Sequence, residues 1–353
     1  MLLQMLAWFL FSTCAFGSIP HHVAYPDGCR LIRAIGKKQC LPSIIINGQL
    51  KSGTTSLFSI LAQHPQIMIQ RDPFGRPVKE ANSFWFREAA QNPKRYFHIM
   101  RQFPMQPLNG TRVSMEASPY YLSIMPDIGE DLGTLKRYIP NIKLVSIVRN
   151  PIDRAFSEFL MLSDAWNYSS VCNGTAFEDI VREELLIRNN TLLTDTSLHH
   201  SCLVRSPKFR NFTEPEKSDY RGRLVRWGEY AHYLKYWMQT FNSSQLYVLK
   251  TEDLKRNPTK TLADLVAWLG LEPYPLEALE YNRAGCRRSK NGACENEGTN
   301  KKVNTQMTYS RKVAFLLQNH FKLHNQDFAQ LTGMEVGDWN THYKDQYVHN
   351  AEN

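Results

Sequence analysis

An apolar, isoleucine-rich run from Leu41 to Asn47 has the length of a buried strand, and Gly48 to Gly53 follow it as a loop. Thr54 to Gln63 then sets Leu57, Ile60 and Leu61 on one helical face, so strand, loop and helix are expected in succession. Val113 to Ala117 predicts a second strand, ended by Ser118-Pro119. Lys143 to Val148, rich in β-branched residues, predicts a third, and Pro151 stands where the first turn of a helix tolerates proline. Leu246 to Lys250 predicts a fourth, and a helical pattern returns from Tyr309 to Leu331. Strands alternating with helices point to an α/β fold with a P-loop-like central parallel sheet flanked by helices. Ligands of such sheets sit at the carboxyl ends of the strands.

Two stretches depart from this alternation. Between about 166 and 223 the chain is polar and holds several Asn-x-Ser/Thr sequons, so it reads as a glycosylated excursion from the core. Between about 283 and 304 it is basic and poor in apolar residues, with Arg283, Arg287, Arg288, Lys290, Lys301 and Lys302. The expected organisation is a leader at 1–17, an N-terminal segment at 18–41, one catalytic domain at 42–340 and a tail at 341–353.

The leader is uncharged and apolar through Leu2, Leu3, Leu6, Trp8, Phe9, Leu10 and Phe11, with small residues at Ala15 and Gly17. It fits a signal peptide cleaved near Gly17 or a short signal anchor, and either directs the domain to a lumen. Sequons at Asn109, Asn167, Asn173, Asn189, Asn211 and Asn242 suit that compartment. Once Cys14 leaves with the leader, Cys29, Cys40, Cys172, Cys202, Cys286 and Cys294 remain as an even set, which an oxidising lumen turns into disulfides. Sequence alone does not choose among the connectivities; pairing of near neighbours is expected, Cys29 with Cys40, Cys172 with Cys202 and Cys286 with Cys294.

At 353 residues and 42% hydrophobic content the chain can bury a large core, and nothing in its composition suggests disorder. The net charge of +9 suits a polyanion, and in a glycosylated luminal protein an acidic polysaccharide is a better partner than nucleic acid.

Chemistry concentrates first in Gly48-Gln49-Leu50-Lys51-Ser52-Gly53-Thr54-Thr55-Ser56, which offers a lysine, hydroxyls and a helix N-terminus to an anion. It is not a Walker A loop, because Lys51 precedes Gly53 where a Walker lysine follows the last glycine. The plain alternative is a Ser/Thr-rich helix cap beside a surface lysine. After the third strand, Arg149 and Ser157 are spaced to close on one phosphate, Arg149 as a charged fork and Ser157 as a hydroxyl donor. The plain alternative there is a surface ion-pair cluster of Arg149, Asp153 and Arg154.

Together the two segments resemble the sulfotransferase superfamily: Lys51 to Ser56 match its 5′-phosphosulfate loop, and Arg149, Pro151, Arg154 and Ser157 its 3′-phosphate motif. Further similarity to the carbohydrate branch lies in Lys79-Glu80 before Phe84-Trp85-Phe86, in Glu116-Ala117-Ser118-Pro119-Tyr120-Tyr121, in Gly228-x-Tyr230 before Trp237, and in Phe321-x-x-His324-Asn325-x-x-Phe328. The detail is most similar to N-acetylgalactosamine 4-sulfate 6-O-sulfotransferases. One residue more than the family spacing separates Glu80 from Phe84.

The resemblance implies the sulfotransferase fold and 3′-phosphoadenosine-5′-phosphosulfate as co-substrate, with no metal required. It implies an anionic polysaccharide such as chondroitin or dermatan sulfate as acceptor, with heparan sulfate or a glycoprotein glycan as the alternative, in the Golgi lumen. Lys51, Ser52, Gly53, Thr54, Thr55 and Ser56 would hold the phosphosulfate, and Arg149 with Ser157 the 3′-phosphate. Lys301 or Lys302 would close over the cofactor by analogy. Glu80 is the expected base, ahead of Glu116 and His98, with an aromatic wall to raise its pKa; the plain alternative is an ion pair with Lys79 or Arg87 on a surface turn. An inactive glycan-binding protein and a nucleotide kinase are the rival readings.

Overall fold

A computed structural model of the chain describes residues 29–71, 77–80, 103–107, 110–127, 129, 132–166, 176–188, 223–277, 287–288, 294–295, 308–341 and 348–349. It opens on an antiparallel hairpin, β1 (Cys29–Ile32) and β2 (Lys37–Cys40), in which Cys29 faces Cys40 and is disulfide-bonded to it. Then come β3 (Ile44–Gly48), α1 (Thr54–Leu61), β4 (Ile67–Ile69), β5 (Gln106–Pro107), which pairs with β2, and β6 (Val113–Ala117). Helices α2 (Tyr121–Asp127) and α3 (Leu132–Tyr138) lead to β7 (Lys143–Val148) and α4 (Pro151–Trp166). Beyond α5 (Ala176–Arg188), α6 (Arg223–Arg226) and α7 (Tyr230–Thr240) lie β8 (Leu246–Lys250), α8 (Thr251–Arg256) and α9 (Pro258–Leu269). The short strands β9 (Arg287–Arg288) and β10 (Cys294–Glu295) pair with each other, and β11 (Tyr309–Ser310) pairs with β12 (Val348–His349) across α10 (Arg311–Thr332) and α11 (Gly337–Thr341).

The central sheet has the order β4-β6-β3-β7-β8, and every pairing in it is parallel. A parallel sheet is covered on both faces, which is why β3 reads as one apolar run and every residue of it is buried. Side chains alternate across the pleat. Ile44 and Ile46 join Val145 and Ile147 beneath Leu57 and Leu61 of α1 and Leu265 of α9. Ile45 joins Leu144 and Val148 on the other face, beneath Leu122 of α2 and Leu234 and Trp237 of α7.

A third cluster lies beyond the sheet, where Phe156 and Phe159 of α4 pack with Phe177 and Val181 of α5 and Val313 and Leu317 of α10. Within the expected excursion at 166–223 the described helix α5 belongs to the core. Its Phe177, Ile180 and Val181 are buried, and the number of polar residues on either side hid that short apolar stripe. Among the described residues no helix is long and apolar enough to cross a membrane.

Candidate active site

The loop after β3 is drawn onto neighbouring strand ends. Gln49 N–H donates to Ile147 O at 2.6 Å, Ser52 N–H donates to Gln49 O at 3.0 Å, and the Thr251 hydroxyl reaches Ser52 O as well as Val148 O, the latter at 3.0 Å. Gly53, at φ 93°, turns the chain into α1 in a conformation that favours glycine, and no side chain caps that helix. The first-turn N–H groups therefore face the loop, where an anion satisfies them. Ser52 is fully buried, and its Oγ has no hydrogen-bond partner among the described residues. A phosphate oxygen would supply one.

Lys51 is half-buried, and its φ of 65° is held by the turn. Burial pushes its pKa down, and the Arg149 and Lys79 charges push it further, against the opposing pull of Glu158 and Glu80. Three cations thus converge on one loop, an arrangement that favours an anion between them.

Arg149 follows β7 directly and is held from several sides. Nη1 donates to Lys51 O at 3.1 Å, Nη2 pairs with Asp153 at 2.9 Å, and the Arg149 carbonyl accepts the Tyr230 hydroxyl at 2.8 Å. Burial pushes the Tyr230 phenol well up, so it stays a donor. Asn150 Oδ1 accepts the Ile152 N–H at 3.0 Å at the start of α4, while Asn150 N–H donates to Glu252 at 2.9 Å. Ser157 is half-buried and stands one turn beyond Asp153, on the same face of α4. The fork and the hydroxyl thus lie along one helix edge.

Arg154 corrects the sequence reading of a surface cluster. It is fully buried, paired at 2.5 Å with Glu158, which also meets Arg223 at 2.6 Å, and it donates to the carbonyls of Arg223 and Leu224. Its task is to tie α4 to α6. Arg149 and Asp153 do pair, as the plain reading had it.

The carboxylates gather at the end of β6. Glu80 N–H donates to Ala117 O at 2.9 Å, and its exposed side chain contacts Lys79 Nζ. Glu116 is buried beside it, and burial raises its pKa to about 8 despite the Ser118 hydroxyl that donates to it. The expected aromatic wall of Phe84, Trp85 and Phe86 lies outside the described residues, as do His98, Lys301 and Lys302. The same holds for Cys172, Cys202 and Cys286 and for the sequons other than Asn242, which is exposed on the turn before β8.

Sequence reasoning gave no role to Tyr230, Thr251 or Glu252, which brace the two loops. Only the Gly228-x-Tyr230 spacing marked Tyr230 at all. As assembled, the site can grip two anionic groups at the ends of adjacent strands, next to a carboxylate pair.

Residues 42–190 match the model of the sulfotransferase family. A bifunctional heparan sulfate N-deacetylase/N-sulfotransferase 1 of Caenorhabditis briggsae is 28% identical over 68% of this chain and 24% of its own length. The heparan sulfate glucosamine 3-O-sulfotransferase 3A1 of Mus musculus is 25% identical over 89% of this chain and 68% of its own. The chain spans about a quarter of the length of the N-deacetylase/N-sulfotransferases it matches. A sulfotransferase of Alicyclobacillus acidocaldarius superposes with a TM-score of 0.54 at 20% identity, over 84% of this chain and 98% of that one, which makes the fold that of a sulfotransferase.

Proposed function

We propose that this chain is a sulfotransferase that moves a sulfuryl group from 3′-phosphoadenosine-5′-phosphosulfate to a sugar hydroxyl of a glycosaminoglycan. One observation carries the reading: Lys51 with the uncapped start of α1, and Arg149 ahead of the helix that bears Ser157, follow the adjacent strands β3 and β7, and the Arg149 guanidinium donates to Lys51 O at 3.1 Å.

In this reading Lys51 and the hydroxyls and N–H groups of Ser52 to Ser56 hold the 5′-phosphosulfate. Arg149 and Ser157 hold the 3′-phosphate, and Asp153 keeps the guanidinium aimed. The donor supplies the activated sulfuryl group, whose bond to the phosphate oxygen breaks as the acceptor oxygen bonds to sulfur. Lys51 offsets the charge left on the departing phosphate. Glu80 takes the acceptor proton, because it is exposed where Glu116, raised to about 8 and buried, is largely protonated at neutral pH and out of reach.

The leader, the sequons and the +9 charge support a luminal enzyme acting on an acidic polysaccharide. Chondroitin or dermatan sulfate is the acceptor favoured by the motif resemblance. Heparan sulfate is the second reading, favoured by the names of the relatives.

Labelled donor incubated with a panel of desulfated polysaccharides, followed by mapping of the sulfated position, decides between them. Lys51→Ala should fold and lower kcat/KM by roughly 10²–10³-fold, the loss typical of removing one charge-stabilising group. Near-normal turnover would sink the scheme. Calorimetry without any binding of 3′-phosphoadenosine-5′-phosphate would favour the inactive glycan-binding protein, and label transfer from ATP the kinase.

A further inference from the structure

One residue before Tyr230, a buried carboxylate faces two histidines of α10. Glu229 occupies the N-cap position of α7 and is 1% exposed. His320 and His324 are four residues apart on a helix and so share a face. Glu229 Oε1 lies 3.1 Å from His320 Nε2 and 3.8 Å from His324 Nε2, and the two rings stand 4.9 Å apart between centroids. One ligand atom from each residue can be chosen so that all lie within 4.8 Å of one another.

We propose that Glu229, His320 and His324 form a site for a divalent transition metal of the zinc type, joining α10 to the start of α7. A tetrahedral zinc ion with bonds of about 2.0–2.1 Å holds its ligand atoms roughly 3.4 Å apart. The 3.1 and 3.8 Å separations lie on either side of that value, and His324, 31% exposed, has room to turn and close the remaining gap. Two imidazoles and one carboxylate suit zinc, whereas calcium and magnesium demand a shell of oxygens. The exposed edge of His324 leaves a fourth position to water.

This site is separate from the donor grip, but it borders the support of that grip. Tyr230 holds the Arg149 carbonyl at 2.8 Å, and Gly228 leaves so little room that an added Cβ would meet the Phe321 ring of α10 at 2.7 Å and Pro151 of α4 at 2.9 Å. A metal on Glu229 and α10 therefore braces the junction on which Arg149 rests. Its role is structural.

Full-length protein stripped with a chelator and titrated with ZnCl₂ should bind one equivalent in calorimetry and melt at a higher temperature. With CoCl₂ it should develop the visible absorption of a tetrahedral centre. His320→Ala and Glu229→Gln should lose both responses. Should His320→Ala not fold, His320→Gln takes its place, and the cobalt spectrum of the wild type decides on its own: no tetrahedral bands, no site. Zinc uptake that survives in a folded His320→Ala/His324→Ala double variant would assign the metal to other histidines and overturn the proposal. An equal rise in melting temperature with MgCl₂ would overturn the metal class.

Discussion

Glu116 and Lys51 are both withdrawn from water beside the same loop, and burial moves both toward their neutral forms. For Glu116 the folded pKa of about 8 lies above the ordinary 4.5. Between those values the folded chain keeps a proton that the unfolded chain releases, so stability is lost as pH rises through that window. Glu116→Gln removes this dependence. Urea unfolding should find the variant gaining on the wild type between about pH 5 and 8, whereas parallel pH profiles would contradict the burial argument. Lys51 carries a lowered pKa, so its cation is lost at lower pH than that of a free lysine. Affinity for 3′-phosphoadenosine-5′-phosphate should accordingly weaken on the alkaline side, and that weakening should vanish in Lys51→Ala, as calorimetry across pH can test.

Among the elements, α4 links the site to the outer helices, and the arginine just before it and the arginine within it do different work. Arg149 donates to the loop at Lys51 O, whereas Arg154 is sealed between Glu158 and the carbonyls of α6. Arg154→Met should therefore destabilise the fold by about 3 kcal/mol in denaturant titrations, the lower end for breaking a buried ion pair, because Glu158 keeps Arg223. Folded protein should retain its cofactor affinity; a selective loss of that affinity would return Arg154 to the phosphate grip. At the start of α7, Gly228→Ala pushes a methyl group into Phe321 and Pro151, and overpacking of this kind costs about 1–3 kcal/mol. A shift in urea midpoint without change in slope is the expected reading. The motif spacing made Arg149 and Ser157 legible as a pair, but the same spacing could not separate Arg154 from them, since burial depends on where α6 packs.

For the molecule as a whole, the loop after β3 is bonded to the residues that follow β7 and β8, so a ligand held there as proposed would tie together strands distant in sequence. Saturating 3′-phosphoadenosine-5′-phosphate, at about 100 times its Kd, should stabilise the fold by about 2.7 kcal/mol, visible as a raised Tm. Lys51→Ala should lose most of that gain. The sequence alone determined the strands Val113–Ala117, Lys143–Val148 and Leu246–Lys250, the loop with its lysine ahead of Gly53, and the parallel α/β class, because local periodicity and turn chemistry carry those features. It ranked Glu80 ahead of Glu116 by resemblance alone, since the burial of Glu116 against the exposure of Glu80 is a property of the packed sheet end. It could not join Tyr230 to Arg149, or Glu229 to His320 and His324. These residues lie 81, 91 and 95 positions apart or are separated by whole helices, and only the folded arrangement of α7 and α10 brings their polar atoms within bonding distance.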